Sequence, residues 1–195
     1  MSAPNGQSTV WGMSLQERII IVLVSALIIG ARFYLRIPLH VPGHSGAYWM
    51  ALLIIGAGLV GKRGAGSLIG LITGILAVFL IPGREGLLTG LKYFVPGVIV
   101  DVFAFSFGGR LDSYPVAILA GAAGNVGKLT TSYIIGLLAG IPSGYLAVGL
   151  GIAATTHLVF GAVGGWLGAF VLKRLARAGV TLEPTTADDI PEPGG

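Results

Sequence analysis

The sequence predicts an all-α, polytopic membrane protein with six transmembrane helices and both termini in the cytoplasm. Hydrophobic residues make up 54% of the 195 residues, charged residues only 10%, and the mean hydropathy is +0.87. A soluble domain carries about 25% charged residues, so this composition excludes a water-soluble fold. The apolar residues are gathered into six stretches between Ile19 and Leu172, and short loops that contain glycine or proline separate the stretches.

Each apolar stretch is predicted to be a helix, because residues that favour turns bound it on both sides. A helix needs about 20 apolar residues to cross the hydrocarbon core of a bilayer; the second and third stretches are shorter and are predicted to form one hairpin. The predicted helices cover residues 17–37, 48–60, 65–80, 87–107, 115–141 and 145–172. The 33 glycines agree with this plan, since small residues let transmembrane helices approach closely.

Two terminal segments are predicted to lie outside the membrane domain, which spans residues 17–175. Residues 1–16 are polar and form a flexible N-terminal segment, while residues 176–195 form a disordered, acidic and proline-rich tail. Such compositions cannot bury enough apolar surface to fold. No small-residue cleavage site follows the first apolar stretch, so this stretch is interpreted as a retained helix rather than a signal peptide.

The orientation in the membrane is predicted from the basic residues, which accumulate on the cytoplasmic side. With the N-terminus inside, seven basic residues lie at the cytoplasmic side: Arg18, Lys62, Arg63, Arg110, Lys173, Arg174 and Arg177. Three lie at the outer side: Arg32, Arg36 and Arg84. This asymmetry places both termini in the cytoplasm and the loops at residues 38–46, 82–86 and 142–144 outside.

Charged and polar residues inside the apolar stretches predict the functional site. A charge at membrane depth costs about 2.5–3.5 kcal/mol on insertion scales, so it usually faces a protein interior or an aqueous cavity. In a hairpin that turns at Pro142, Lys128 and His157 are expected to lie at the same depth. The predicted substrate-binding residues lie in the outer half of the last three helices: Lys92, Asn125, Lys128, Thr131 and His157, with Tyr93 as a further candidate. This set suits an anionic or hydrogen-bonding small molecule.

Some of these residues also have a structural interpretation. Lys92 lies near a helix end, where a long basic side chain can extend to the membrane interface, and a single histidine such as His157 can serve packing. Asp101 lies on the opposite helix face from Lys92, so we predict that it bonds a helix-terminal donor or Arg110. The chain has no cysteine, and its histidines have no carboxylate cluster nearby, so neither a metal site nor a cofactor is predicted.

Small residues at four-residue spacing indicate helix faces that approach another helix closely. Such faces serve internal packing or the docking of another subunit. The polar set lies on the last three helices, so docking is predicted for the first and third. The predicted docking residues are Ala26, Gly30, Gly66, Gly70 and Gly74.

The layout resembles the S components of energy-coupling-factor (ECF) importers, the substrate-binding membrane subunits of a class of ABC transporter. The similar features are the six helices, the length, Ala26-x-x-x-Gly30, the loop at residues 38–46, and the stretches 56–74 and 83–101. The likeness covers most of residues 17–175. It implies a vitamin-like substrate, an outer pocket covered by a lid loop, and prokaryotic plasma-membrane localisation. The residues assigned to the lid are His40, His44 and Ser45.

The resemblance also implies partners, namely a transmembrane coupling subunit and two ATPase subunits. The chain has no Walker motif, so ATP hydrolysis would have to come from another protein, and the chain itself is not predicted to be an enzyme. Nickel- and cobalt-specific relatives carry an N-terminal metal site. Residues 1–4 contain no histidine, which argues against a metal substrate.

Two alternatives belong to other functional classes. One is a stand-alone secondary transporter or channel, which the small size and the lack of an evident repeat disfavour. The other is a rhomboid-like intramembrane serine protease, because Gly43-His44-Ser45-Gly46 matches a Gly-x-Ser-Gly string and His157 lies on the last helix. Proton transfer requires the serine and the histidine to be within hydrogen-bond reach, whereas Ser45 precedes the second helix rather than the fourth.

Overall fold

The computed structural model describes residues 13–34, 42–81 and 86–180, and within these ranges it contains helices and no strand. The helices are α1 (Leu15–Tyr34), α2 (Gly46–Val60), α3 (Ala65–Leu80), α4 (Leu91–Ser106), α5 (Tyr114–Leu138), α6 (Ser143–Ala147) and α7 (Leu150–Arg177). A 3₁₀ helix, Gly86–Gly90, leads into α4. The all-α prediction is confirmed.

Each predicted helix has a counterpart, although several ends differ. The sixth predicted helix is divided into the short α6 and the long α7, because Gly149 has a φ of 78°, a conformation that glycine adopts readily and that interrupts a helix. α1 begins at Leu15, two residues before its predicted start. The predictions for residues 1–12, 35–41, 82–85 and 181–195 fall outside the described residues.

Two helical stretches in the described part of the chain are long and apolar enough to cross a membrane, namely Gly86–Ser106 and Leu150–Arg177. α2 and α3 are also apolar but shorter, with 15 and 16 residues. By length and composition alone, the two longer stretches could cross a membrane.

α2 lies in the interior of the bundle. It contacts α1, α3, α5 and α7, and its side chains Met50, Leu53 and Ile54 are at most 1% exposed. An apolar helix that is buried on nearly all sides belongs to the core of a helical assembly. Its first turn carries Tyr48 and Trp49, so its central location places these two rings among the surrounding helices.

The glycines of α3 pack against α4. A Cβ atom on Gly70 would lie 2.6 Å from the carbonyl oxygen of Tyr93, and one on Gly74 would lie 2.6 Å from that of Gly90. Gly66 is buried in the same way, against Gly97. The prediction that Gly66, Gly70 and Gly74 form a docking surface is therefore corrected. These glycines pack against residues 90–97 of the same chain, so they are not accessible to another subunit.

The small residues of α1 have different surroundings. Ala26 is exposed, and a Cβ atom on Gly30 would meet no other atom within 4 Å. Large apolar side chains on the same helix, including Leu23 and Leu27, are 61% and 54% exposed. This surface of α1 is uncovered in the single chain.

Close packing of α5 against α7 sets the register of these antiparallel helices. Gly121 faces Gly161, and the side-chain amide of Asn125 bonds the carbonyl oxygen of His157. His157 is therefore level with Asn125, and the prediction that it is level with Lys128 is wrong by three residues.

One end of the bundle carries the turn between α2 and α3 and is here called the α2–α3 end. Polar side-chain contacts join the helices at this end. The carboxylate of Asp101 accepts hydrogen bonds from the backbone N–H groups of Gly66 (2.8 Å) and Ser67 (2.6 Å). It thereby satisfies donors at the start of α3 that lack helical partners, which confirms the predicted bond between Asp101 and a helix-terminal donor. At the same end Lys62 pairs with Glu17 at 2.9 Å.

Candidate functional site

Cationic and aromatic side chains from four helices meet at the opposite end of the bundle, here called the α1–α2 end. α1 contributes one residue, α2 two, α4 two and α5 one. We call this group the cation–aromatic cluster, and its members are Arg32, Tyr48, Trp49, Lys92, Tyr93 and Lys128.

Two buried rings form the centre of this cluster. Trp49 and Tyr93 are each 3% exposed, and their ring centroids lie 6.1 Å apart at an interplanar angle of 72°. This edge-to-face arrangement is one that aromatic pairs prefer. The indole N–H of Trp49 is buried and has no hydrogen-bond partner among the described residues.

The ammonium group of Lys128 lies over both rings. Its Nζ atom is 4.6 Å from the centroid of Trp49 and 5.5 Å from that of Tyr93, distances at which the negative face of an aromatic ring attracts a cation. Lys128 itself is half-buried. The rings thus hold the ammonium in place without neutralising its charge.

Further positive charge surrounds Lys128. Arg32 donates a hydrogen bond to the Tyr93 hydroxyl, and its guanidinium lies 5.9 Å from the ring centroid. Arg32 and Lys92 are both near enough to Lys128 to repel it electrostatically. The cluster therefore concentrates three cationic side chains around one pair of rings.

The acidic side chains of the described residues lie at the other end of the bundle. Glu17 bonds Lys62, Asp101 bonds the start of α3, and Asp112 is exposed in the connection that leads to α5. Within the described part of the chain, no carboxylate therefore balances Lys128. A group of cations of this kind attracts an anion, because a partly desolvated charge gains most from a direct counter-charge.

The other predicted substrate-binding residues on α5 have partners within the protein. Asn125 is 1% exposed, and its amide nitrogen donates to the carbonyl oxygens of His157 (2.8 Å) and Gly43 (3.4 Å). The hydroxyl of Thr131 donates to the carbonyl oxygen of Gly127, 2.8 Å away in its own helix. The structure thus uses the donor groups of both residues for internal bonds.

His157 has a defined ring orientation. Its Nδ1 atom lies 2.7 Å from the carbonyl oxygen of Ala153; because a carbonyl only accepts, Nδ1 carries the proton. In the neutral ring Nε2 is then an acceptor. No hydrogen bond joins Ser45 to His157 in the described structure, so the pair that a serine protease would need is not formed.

The described part of the predicted lid, residues 42–45, lies over α5 and α7. A Cβ atom on Gly43 would lie 2.6 Å from Nδ1 of His157, and Gly46 packs directly against the side chain of Asn125. His44 and Ser45 are half-buried in this turn, while His40 lies outside the described residues. The turn therefore covers the part of the site formed by α5 and α7.

A separate cavity of about 590 Å³ lies at the α2–α3 end. The turn at residues 61–64 lines one side, and Asp101, Phe105 and Leu111 line another. The guanidinium of Arg63 lies 4.6 Å from the ring centroid of Phe105. The carboxylate of Asp101 already accepts hydrogen bonds from the start of α3. None of the predicted substrate-binding residues lines this cavity.

Sequence reasoning missed Arg32, Tyr48 and Trp49. Arg32 was counted only as a basic residue of the outer side, and the two aromatic residues were included in an apolar stretch. Their proximity to Lys128 results from the central location of α2. The only available signal was the pair of aromatic residues in the first turn of a helix that directly follows the proposed lid.

Comparison with known proteins adds one finding about the fold. No protein-family model matches the sequence, and no curated protein matches it. A solved structure described as "Crystal structure of an S-component of ECF transporter" is similar, with a TM-score of 0.62 and 21% sequence identity. The alignment covers 86% of this chain and 88% of the other. The predicted resemblance is confirmed at the level of the fold: the chain has the fold of an ECF transporter S-component.

Proposed function

We propose that this protein is the substrate-capturing membrane subunit of an ECF-type importer and that it binds an anionic, vitamin-like small molecule. The observation that carries this proposal is the cation–aromatic cluster, in which the ammonium of Lys128 lies over two buried rings with no described carboxylate nearby. The fold supports the same function, since the similar solved structure is an S-component of an ECF transporter. In this proposal the protein binds its substrate and carries out no chemistry on it.

The proposed substrate replaces the missing counter-charge of Lys128. Its acidic group bonds the ammonium and is attracted by Arg32 and Lys92. Nε2 of His157 is available to accept a hydrogen bond from a neutral part of the molecule. The turn at residues 42–45 forms the described part of the lid, because Gly43 lies directly on His157.

The proposed orientation has six transmembrane helices, cytoplasmic termini and the α1–α2 end facing outward from a prokaryotic plasma membrane. The distribution of charge supports it. The α2–α3 end carries Lys62 and Arg63, and the end of α7 adds Arg174 and Arg177. Basic residues are typical of the cytoplasmic side, which leaves the cation–aromatic cluster open to the exterior, where a substrate would arrive.

The proposed partners are a transmembrane coupling subunit and two ATPase subunits. The uncovered surface of α1 around Ala26 and Gly30 is the proposed docking surface for the coupling subunit. Small residues let another helix approach the backbone closely, and the exposed leucines Leu23 and Leu27 flank them. The glycines of α3 are excluded from this role, since they contact α4.

Purification of the tagged protein in a mild detergent, followed by native mass spectrometry, tests this function. We expect one small acidic molecule bound to each chain, and co-purification of the coupling and ATPase subunits when these are co-expressed. We also expect cells that lack the coupling and ATPase subunits to take up none of this molecule. Uptake without these partners would instead indicate a stand-alone transporter, and a bound molecule without an acidic group would contradict the proposal that the substrate is anionic.

A further inference from the structure

The side chain of Asn125 connects three segments of the site. It projects from α5, its amide nitrogen donates 2.8 Å to the carbonyl oxygen of His157 on α7, and the same nitrogen donates 3.4 Å to the carbonyl oxygen of Gly43 in the turn before α2. The residue is 1% exposed. A buried amide that bonds two other segments fixes their positions relative to its own helix.

The residues around Asn125 are small enough to allow this contact. Gly46 lies against the amide group so closely that any Cβ atom there would collide with it. Gly43 has a φ of 77°, which glycine tolerates better than other residues, and this conformation brings its backbone against the ring of His157. Two glycines thus shape the turn around one asparagine.

The two hydrogen bonds differ in length and therefore in strength. The bond to His157, at 2.8 Å, lies in the normal range for N–H···O bonds, whereas the bond to Gly43, at 3.4 Å, is long and weak. Breaking the weak bond would release the turn, while the strong bond keeps the amide oriented for the return of the turn. The arrangement suits a contact that opens and closes.

We propose that Asn125 is a latch, a positioning residue that holds the turn at residues 42–45 against α7 and keeps the site covered. Its amide nitrogen acts on the lid through Gly43 and does not bind the substrate. This inference concerns the movement of the turn alone. It therefore holds or fails independently of the identity of the substrate.

The chain contains no cysteine, so a single introduced cysteine can be labelled specifically with a spectroscopic probe. Pro42 is exposed in the turn, so P42C labelled with a nitroxide reports the mobility of the turn in the purified full-length protein. In this labelled background we compare Asn125→Leu, which keeps the branched shape of the side chain but removes both hydrogen bonds. We expect the ratio of mobile to immobilised label to rise about twofold, the effect of losing a hydrogen bond at the weak end of the usual range.

A second variant tests the latch without changing Asn125. Gly46→Ala places a methyl group where the amide now lies, so it should displace the side chain and raise the mobile fraction in the same way. Thr130→Val is the control, because Thr130 is exposed on the same helix and its hydroxyl bonds only the carbonyl oxygen of Val126. We expect the spectrum of this control to equal that of the labelled parent.

The latch is overturned if both Asn125→Leu and Gly46→Ala retain the spectrum of the labelled parent. If Asn125→Leu does not fold, the spectrum of Gly46→Ala decides the question. The thermal unfolding temperature of each variant is measured in parallel. A general loss of packing would lower that temperature and mobilise a second label at a distant position such as Asp112 as well, whereas release of the latch mobilises only the turn.

Discussion

Replacement of Lys128 by methionine is expected to weaken binding of the co-purified acidic molecule by about 1.5–3 kcal/mol, roughly 10- to 150-fold, the contribution of a hydrogen bond to a charged group. Methionine keeps an apolar side chain of similar length against Trp49 and Tyr93, so the packing of the rings is retained. No ion pair with a described carboxylate is broken. The variant should therefore fold normally, and isothermal titration calorimetry measures the loss of affinity directly.

Lys173→Met provides a matched control for this experiment. The Nζ atom of Lys173 also lies over an aromatic ring, 4.0 Å from the centroid of Tyr114, but at the α2–α3 end of the bundle. Its removal takes away a similar cation–π contact without altering the cation–aromatic cluster, so the affinity should stay unchanged. Equal affinities of the wild type and the Lys128→Met variant would refute the proposal that Lys128 binds an acidic group of the substrate, and would leave Lys128 a structural residue.

A large effect on stability is expected from a substitution in the contact between α3 and α4. A Cβ atom on Gly97 would collide with the backbone carbonyl oxygen of Gly66, and a backbone atom cannot move aside unless the two helices separate. We expect Gly97→Ala to lower the free energy of unfolding by about 1–3 kcal/mol, the usual cost of overpacking. Thermal unfolding in detergent measures the decrease.

Gly151→Ala is the corresponding control. Gly151 lies in α7, and a Cβ atom there would meet no other atom within 4 Å. Alanine at such a helical position stabilises a protein by about 0.4–1 kcal/mol, chiefly by restricting the unfolded chain. If Gly97→Ala unfolds at the same temperature as the wild type, α3 and α4 do not pack as closely as the structure shows.

The local features of the fold could be predicted from the sequence because they depend on local chemistry. Hydropathy located the helices, and turn residues such as those around Gly61 and Gly108 marked their ends. Asp101 lies on the opposite helix face from Lys92, which left a helix-terminal donor or Arg110 as its predicted partner, and the structure shows the helix-terminal donor. These arguments require no knowledge of which helices are neighbours.

The arrangement of the site could not be predicted in the same way, because it depends on tertiary contacts. The cation–aromatic cluster exists because α2 is central, and no periodicity reveals that a buried Trp49 lies beneath Lys128. The offset between Lys128 and His157 depends on how α5 and α7 pack, because the contacts Gly121–Gly161 and Asn125–His157 set their register. Glycine spacing showed that a face of α3 approaches something closely, but it does not distinguish α4 from another protein.

A structure of the protein with its co-purified molecule bound would locate the substrate directly. We expect an acidic group of this molecule to lie at hydrogen-bond distance, about 3 Å, from Nζ of Lys128, beneath the turn at residues 42–45. A molecule bound instead in the cavity at the α2–α3 end, or bound with its acidic group directed away from Lys128, would show that Lys128 does not bind the substrate.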